Sequence, residues 1–272
     1  MMKNMEIKEC DNSIRIYSIR LDGDCSKEQS LVLYGMLPRE RKELVDKARN
    51  ETVAKKRLYT GAFLQYVLSK ETGIPVENLH YIYNEWGKPE LDVKSIMDDG
   101  RLDCTKKERI ESLSFNLSHA GNYAVLAVSD SPIGIDIECK SRNYISVAKR
   151  CFCKEEYEDI ESVAGEEERR KRFLEYWTMK EAYVKYVGEG LRIPLNSFRI
   201  ERGEEGSSYL SDKKTIIFHT FFPEDGYCVS LCNAQRTSKM EEDCVCRLIL
   251  LQDIDSLFSD IRENWQNVQE ME

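Results

Sequence analysis

An α+β chain of two similar lobes, related by pseudo-twofold symmetry, is predicted by three observations in the 272-residue sequence. The order helix, Ile-Pro, strand, hairpin occurs twice. Each occurrence is preceded by a strand-like apolar run, and a turn-rich stretch, Ser129-Asp130-Ser131-Pro132, lies between them.

In the first copy, residues 14–19 (Ile-Arg-Ile-Tyr-Ser-Ile) alternate as a half-buried strand does. Residues 55–73 read as an amphipathic helix, with Leu58, Ala62, Leu64 or Gln65, and Leu68 on recurring turns and a terminal glycine. Ile74-Pro75 follows, then a strand around 79–83 and a hairpin of 114–117 with 123–128. In the second copy, residues 133–137 are the opening strand and 173–187 the helix, ending in Gly188 and Gly190. Ile193-Pro194 follows, then a strand around 198–200 and a hairpin of 216–222 with 227–231. Residues 161–170 read as a flexible acidic connection. The divisions are an N-terminal lobe, 1–131, a C-terminal lobe, 132–235, and a C-terminal helical extension, 236–272. In the extension, Ile249, Leu250, Ile254, Leu257, Phe258, Ile261 and Trp265 recur at helical spacing and are expected to pack on a lobe surface.

Composition narrows the function classes. Hydrophobic content of 41% and charged content of 33% indicate a soluble globular protein. No apolar run approaches the roughly 18 residues of a membrane span, and the first residues carry no signal-peptide core. The ten cysteines include no Cys-x-x-Cys pair, which argues against structural zinc and for reduced thiols in a cytoplasmic protein. A net charge of −9 argues against general nucleic-acid binding. Two basic islands interrupt that acidity and suit specific anions: Arg39, Arg41, Lys42, Lys47, Arg49, Lys55, Lys56 and Arg57 in one, and Lys140, Arg142, Lys149 and Arg150 in the other.

Two segments carry chemistry. In Gly134-Ile135-Asp136-Ile137-Glu138 the carboxylates at i and i+2 point to one face of a strand. Like charges that close repel unless a cation lies between them, and a small set of oxygen ligands suits Mg²⁺ completed by substrate phosphates. In Trp177-Thr178-Met179-Lys180-Glu181-Ala182-Tyr183-Val184-Lys185, Glu181 and Lys185 share a helix face with Trp177 and offer a third carboxylate and a cation. Alone, the first segment also fits a solvated strand edge and the second a surface ion pair. Together they suggest phosphate chemistry.

These segments, with Trp86-Gly87-Lys88-Pro89, Phe115-Asn116-Leu117-Ser118-His119-Ala120-Gly121 and the Gly188-Glu189-Gly190-Leu191 ending, resemble the larger, pseudo-dimeric 4′-phosphopantetheinyl transferases of the surfactin-synthetase-activating type. The departures are Ala120, where many members carry serine, and a longer C-terminal tail. The resemblance implies coenzyme A in the cleft between the lobes. It implies transfer of 4′-phosphopantetheine to a serine of an apo acyl or peptidyl carrier protein, with release of adenosine 3′,5′-bisphosphate. Asp136, Glu138 and Glu181 would hold Mg²⁺, with Mn²⁺ able to replace it, Glu181 would act as general base, and Lys185 would neutralise the leaving group. Coenzyme contacts are expected from Arg57 at the 3′-phosphate, from Gly87, Lys88, Pro89 and Ser118, from His119 as a cationic imidazole beside phosphate, and from Lys180 and Lys185. Trp177 is expected to be a core anchor. The carrier is expected over residues 139–154, where the second basic island alternates with Tyr144, Ile145, Val147 and Phe152, and the protein is expected to be a monomer.

Two other classes remain: a different Mg-dependent enzyme acting on coenzyme A or a nucleotide, and a catalytically silent carrier-binding protein. The absence of a Walker loop or dinucleotide glycine fingerprint lowers the first, and the presence of all three carboxylates lowers the second.

Overall fold

The computed structural model describes residues 14–98, 107, 110–139, 144–203, 207–224, 226–235, 246–250, 254 and 256–261. The first half runs β1 (Ile14–Arg20), α1 (Lys27–Gly35), α2 (Arg39–Asp46), α3 (Glu51–Thr72), β2 (Tyr81–Tyr83), β3 (Pro89–Leu91), α4 (Val93–Asp98), β4 (Ser114–Ala120) and β5 (Tyr123–Ser129). The second runs β6 (Ile133–Cys139), α5 (Tyr144–Cys151), α6 (Lys154–Ser162), α7 (Glu166–Val187), β7 (Ile200–Arg202), β8 (Ser208–Leu210), β9 (Lys213–Phe221) and β10 (Tyr227–Ala234), before β11 (Cys246–Leu250). One sheet has the order β11-β1-β5-β4 and another the order β6-β10-β9-β8-β7, while β2 and β3 form a separate ribbon. In both larger sheets the opening strand lies antiparallel to the second strand of the following hairpin.

The long helices α3 and α7 each span 22 residues and stop at a left-handed glycine, Gly73 at φ 70° and Gly188 at φ 83°. Asn50 starts α3 by accepting the Val53 amide. From Leu58 to Leu68 every residue of α3 is buried, a wider apolar face than an amphipathic surface helix needs. The helix packs within a core that also takes in Leu33 of α1, Ile19 of β1 and Leu126 of β5. In the second half, Phe173, Tyr176 and Met179 of α7 pack with Phe152, Ile160 and Phe218. A third core lies between the sheets and joins Ile14, Ile16, Val125 and Ala127 to Ile133, Ile135, Ile137, Val229 and Leu231. The two halves thus share an apolar interior.

Two expectations change. Residues 166–170 are the first turns of α7 rather than a connection, and Glu166 there accepts hydrogen bonds from Tyr144 and Arg170. Ile249 and Leu250, expected on a helix, lie in β11, which pairs in parallel with β1 and covers an edge that β5 leaves open. Ile254, Leu257 and Ile261 belong to helical residues and pack into the first core; Trp265 falls outside the described residues. No described helix is long and apolar enough to cross a membrane.

β6 and α7 meet backbone to backbone at Gly134. A Cβ there would lie 2.0 Å from the Ala182 carbonyl oxygen and 2.5 Å from the Tyr186 nitrogen. Gly134→Ala is therefore expected to lower stability by about 3 kcal/mol or more, because neither neighbour is a movable side chain end. Chemical denaturation measures this, and a loss below about 1 kcal/mol would contradict the contact.

Candidate active site

Strand alternation divides β6 between two tasks. Ile133, Ile135 and Ile137 fill the core between the sheets, while Gly134, Asp136 and Glu138 take the side packed on α7. The edge strand β4 lies alongside β6 through side chains: Asn116 Oδ1 accepts the Ile135 amide at 2.9 Å, and Ser118 Oγ accepts the Ile137 amide at 3.3 Å. Ser118 Oγ also donates to Asp136 Oδ1 at 2.8 Å. Lys185, reaching from α7, bonds that same Oδ1 at 2.6 Å and Ser118 Oγ at 2.8 Å. Two strands and a helix therefore converge on one carboxylate, 5% exposed.

Asp136 Oδ2 is buried and has no hydrogen-bond partner. Burial raises the pKa of Asp136 against the opposing pull of Lys185 and Ser118. Burial also raises that of Glu138, with repulsion from Asp136 adding to it, and the same two causes act on Glu181. Three mutually repelling carboxyl groups with one orphaned oxygen are a donor set that fits a hard, oxygen-seeking divalent cation. As they stand, no three His, Cys, Asp or Glu side chains among the described residues close into a metal cage, and Lys185 holds the Asp136 oxygen that faces it.

The other predicted residues divide between those drawn to this cluster and those that lie elsewhere. Lys88 Nζ donates to the Lys185 carbonyl oxygen at 2.9 Å, and Asn84 Nδ2 donates to the Gly188 carbonyl oxygen at 3.0 Å. The ribbon carrying Gly87, at φ 81°, and Pro89 thereby satisfies carbonyls at the end of α7 and delivers a cation beside Lys185. Asn84 had no signal in the sequence; its side chain also accepts the Trp86 and Lys88 amides and shapes the turn. His119 follows Ser118 on β4 and is exposed, yet desolvation of its ring, followed by the charge of Lys185, lowers its pKa. Both causes disfavour the charged imidazole while no anion lies beside it. Lys56 and Arg41, both members of the first basic island, also act on His119. Arg57 is exposed, with its guanidinium on the Leu44 carbonyl.

Lys180 is a correction. Its side chain is 0% exposed and pairs with Glu156 at 2.9 Å. It donates to the Leu195 and Phe198 carbonyls, each at 2.7 Å, while Glu156 accepts the Ile200 and Cys153 amides. Adjacent helix positions diverge by about 100°, so Lys180 faces the second core when Glu181 faces β6. It has no free donor direction for a phosphate. Trp177 stacks against Phe173 in that core, as a structural anchor would. Of the apolar carrier contacts, Tyr144 and Phe152 are also core, and Val147 is half-buried against it. Ile145, Lys149 and Arg150 remain exposed, while Lys140 and Arg142 fall outside the described residues.

Similarity to known proteins runs through the same residues. A family model described as the 4′-phosphopantetheinyl transferase superfamily matches residues 132–232. A second, described as 4′-phosphopantetheinyl transferase, N-terminal, matches residues 24–131. The chain is 28% identical to 4′-phosphopantetheinyl transferase Sfp of Bacillus subtilis over 224 residues, 81% of this chain and 92% of that protein. It is 27% identical to 4′-phosphopantetheinyl transferase gsp of Aneurinibacillus migulanus over 255 residues, 91% of this chain and 98% of that one. To 4′-phosphopantetheinyl transferase HetI of Nostoc it is 35% identical over 131 residues, 47% of this chain and 49% of that one. The two family models are consecutive and the first two relatives match nearly end to end, so the chain belongs to the 4′-phosphopantetheinyl transferase superfamily.

Proposed function

We propose that this enzyme moves the 4′-phosphopantetheine group of coenzyme A onto a serine hydroxyl of an apo acyl or peptidyl carrier protein and releases adenosine 3′,5′-bisphosphate. The observation that carries the reading is the buried Asp136, with one unpartnered oxygen, between Ser118, Lys185 and the flanking Glu138 and Glu181. We read the two halves as pseudo-twofold lobes with coenzyme A between them, in a cytoplasmic monomer.

The carrier serine oxygen attacks the pantetheine-bearing phosphorus, the bond to the bridging oxygen of the pyrophosphate breaks, and the serine proton must go to a base. Glu181 is suited to take it, because a carboxylate with a raised pKa holds a proton better than an ordinary one. Lys185 stands ready to balance charge on the departing bisphosphate once phosphate draws it from Asp136. Ser118 and His119 offer hydrogen bonds to the pyrophosphate, and Lys88 adds a cation at the end of α7. Asp136, Glu138 and Glu181 would hold Mg²⁺, or Mn²⁺ in its place, which supplies charge neutralisation at the pyrophosphate oxygens when bound. Arg57, exposed on α3, would read the 3′-phosphate. The carrier would dock on α5 through Ile145, Lys149 and Arg150.

Incubation with an apo carrier, coenzyme A and Mg²⁺ should add phosphopantetheine by mass spectrometry. Glu181→Gln should slow this by about 10²–10⁴-fold, the usual worth of a positioned base. A wild-type protein that leaves every host carrier unmodified, or full turnover under excess chelator, would overturn the reading.

A second test uses stability. The folded metal-free protein holds carboxyl protons more tightly than the unfolded chain, so this stabilising contribution is present below the ordinary carboxylate range and is lost as pH rises through the raised values. Mg²⁺ at about a hundredfold excess over its dissociation constant should raise Tm at pH 7 by about 5–10 °C. Near pH 4 the increment should vanish, since protons then occupy the ligands. A pH-independent increment would place the metal elsewhere.

The third concerns the 3′-phosphate. Dephospho-coenzyme A should bind about 10–100-fold more weakly than coenzyme A, and Arg57→Ala should erase most of that difference. An unchanged preference in the variant assigns the 3′-phosphate to another group.

A further inference from the structure

The two long hairpins meet tip to tip. Tyr123 is the first residue of β5 and Tyr227 the first of β10, so the two tyrosines occupy equivalent places in the repeat. Their rings cross edge to face, with centroids 4.9 Å apart and planes at 74°. Each hydroxyl reaches the other hairpin: Tyr227 Oη accepts the Asn122 amide at 3.1 Å, and Tyr123 donates to the Glu224 carboxylate.

The two bonds differ in what they hold. Gly121 and Asn122 form the turn directly after Ser118-His119-Ala120. Gly121 sits at φ +53°, and a Cβ there would lie 2.3 Å from the Tyr227 hydroxyl oxygen, so the turn is fitted closely to that hydroxyl. The first half grips the same turn from its own side. Lys56 Nζ donates to the Gly121 carbonyl at 2.5 Å and to Asn122 Oδ1 at 3.2 Å, and the Leu21 amide donates to the Asn122 carbonyl at 2.7 Å. Glu224, in contrast, is exposed in the turn between β9 and β10, whose strands supply none of the carboxylates or cations of the site.

We propose that Tyr227 is a positioning residue for coenzyme A: its hydroxyl, reaching across from the second half, fixes the Gly121–Asn122 turn and thereby the presentation of Ser118 and His119. This rests on the reading that those two residues contact the coenzyme. A lobe–lobe contact would then be part of the coenzyme site, and loosening it would be felt as lost affinity.

The near-symmetry provides the control. Tyr227→Phe and Tyr123→Phe each delete one hydroxyl and one bond between the halves. Calorimetric titration with coenzyme A should show about three- to tenfold weaker binding for Tyr227→Phe, the range expected for one hydrogen bond, and no change for Tyr123→Phe. In steady state, Tyr227→Phe should raise the KM for coenzyme A and leave kcat and the KM for carrier near wild type. Should Tyr227→Phe fail to fold, Gly121→Ala displaces the hydroxyl from the opposite side and should give the same loss. Equal binding by Tyr227→Phe and wild type, or an equal loss in Tyr123→Phe, overturns the proposal. A wild-type protein that does not bind coenzyme A overturns the coenzyme reading and this inference together, which separates the two failures.

Discussion

A carboxylate taken out of water must be met by donors or by opposite charge, and Asp136 draws its partners from separate parts of the chain. Ser118 comes from β4, Lys185 from α7, and Asp136 itself from β6. Each requires its own geometry. β6 has to approach α7 as closely as Gly134 allows, and β4 has to run beside β6 without a backbone ladder, bridged instead by Asn116 and Ser118. The seam between the sheets and the cluster of charged groups are thus one arrangement seen from two sides. The apolar face of β6 secures it by tying both sheets into the middle core.

Much of this could be read from the amino acids because the informative patterns are local. Alternation placed Asp136 and Glu138 on one face, the i, i+4 spacing placed Glu181 with Lys185, and the paired Ile-Pro segments after Gly73 and Gly188 exposed the repeat. What escaped depended on partners far away in sequence. Lys180 looks like Lys185 until Glu156 is known to lie beneath it, in a helix 24 positions earlier (180 − 156). Asn84 gave no signal, because its value lies in bonding a carbonyl of residue 188. For His119 the local sequence carries no sign of the nearby Lys185 charge, which with desolvation works against a cationic ring.

The two lysines also show how one helix serves two ends. Along α7, Phe173, Tyr176 and Met179 bury against the second core, and Lys180 lies among them with every donor direction used. Five positions on, Lys185 keeps a side chain 27% exposed and a bond to a carboxylate that substrate phosphate could replace. A buried, fully bonded pair resists change, whereas a partly open one can exchange partners. The chemical difference between the residues is nil; their surroundings make one a strut and the other a ligand.

β11 has a consequence for how the protein is made. Residues 246–250 complete the edge of a sheet begun at residues 14–18, and Ile254, Leu257 and Ile261 complete the core around α3. On the ribosome these pieces emerge only after the entire second half. The first half must therefore wait, with the far edge of β1 and part of its apolar interior uncovered, for about 120 residues of synthesis after β5, which at about 5–20 residues per second is roughly 6–24 seconds. Contacts this distant in sequence close slowly. The interval leaves a nascent chain with an open strand edge, the surface at which another chain can pair in place of its own.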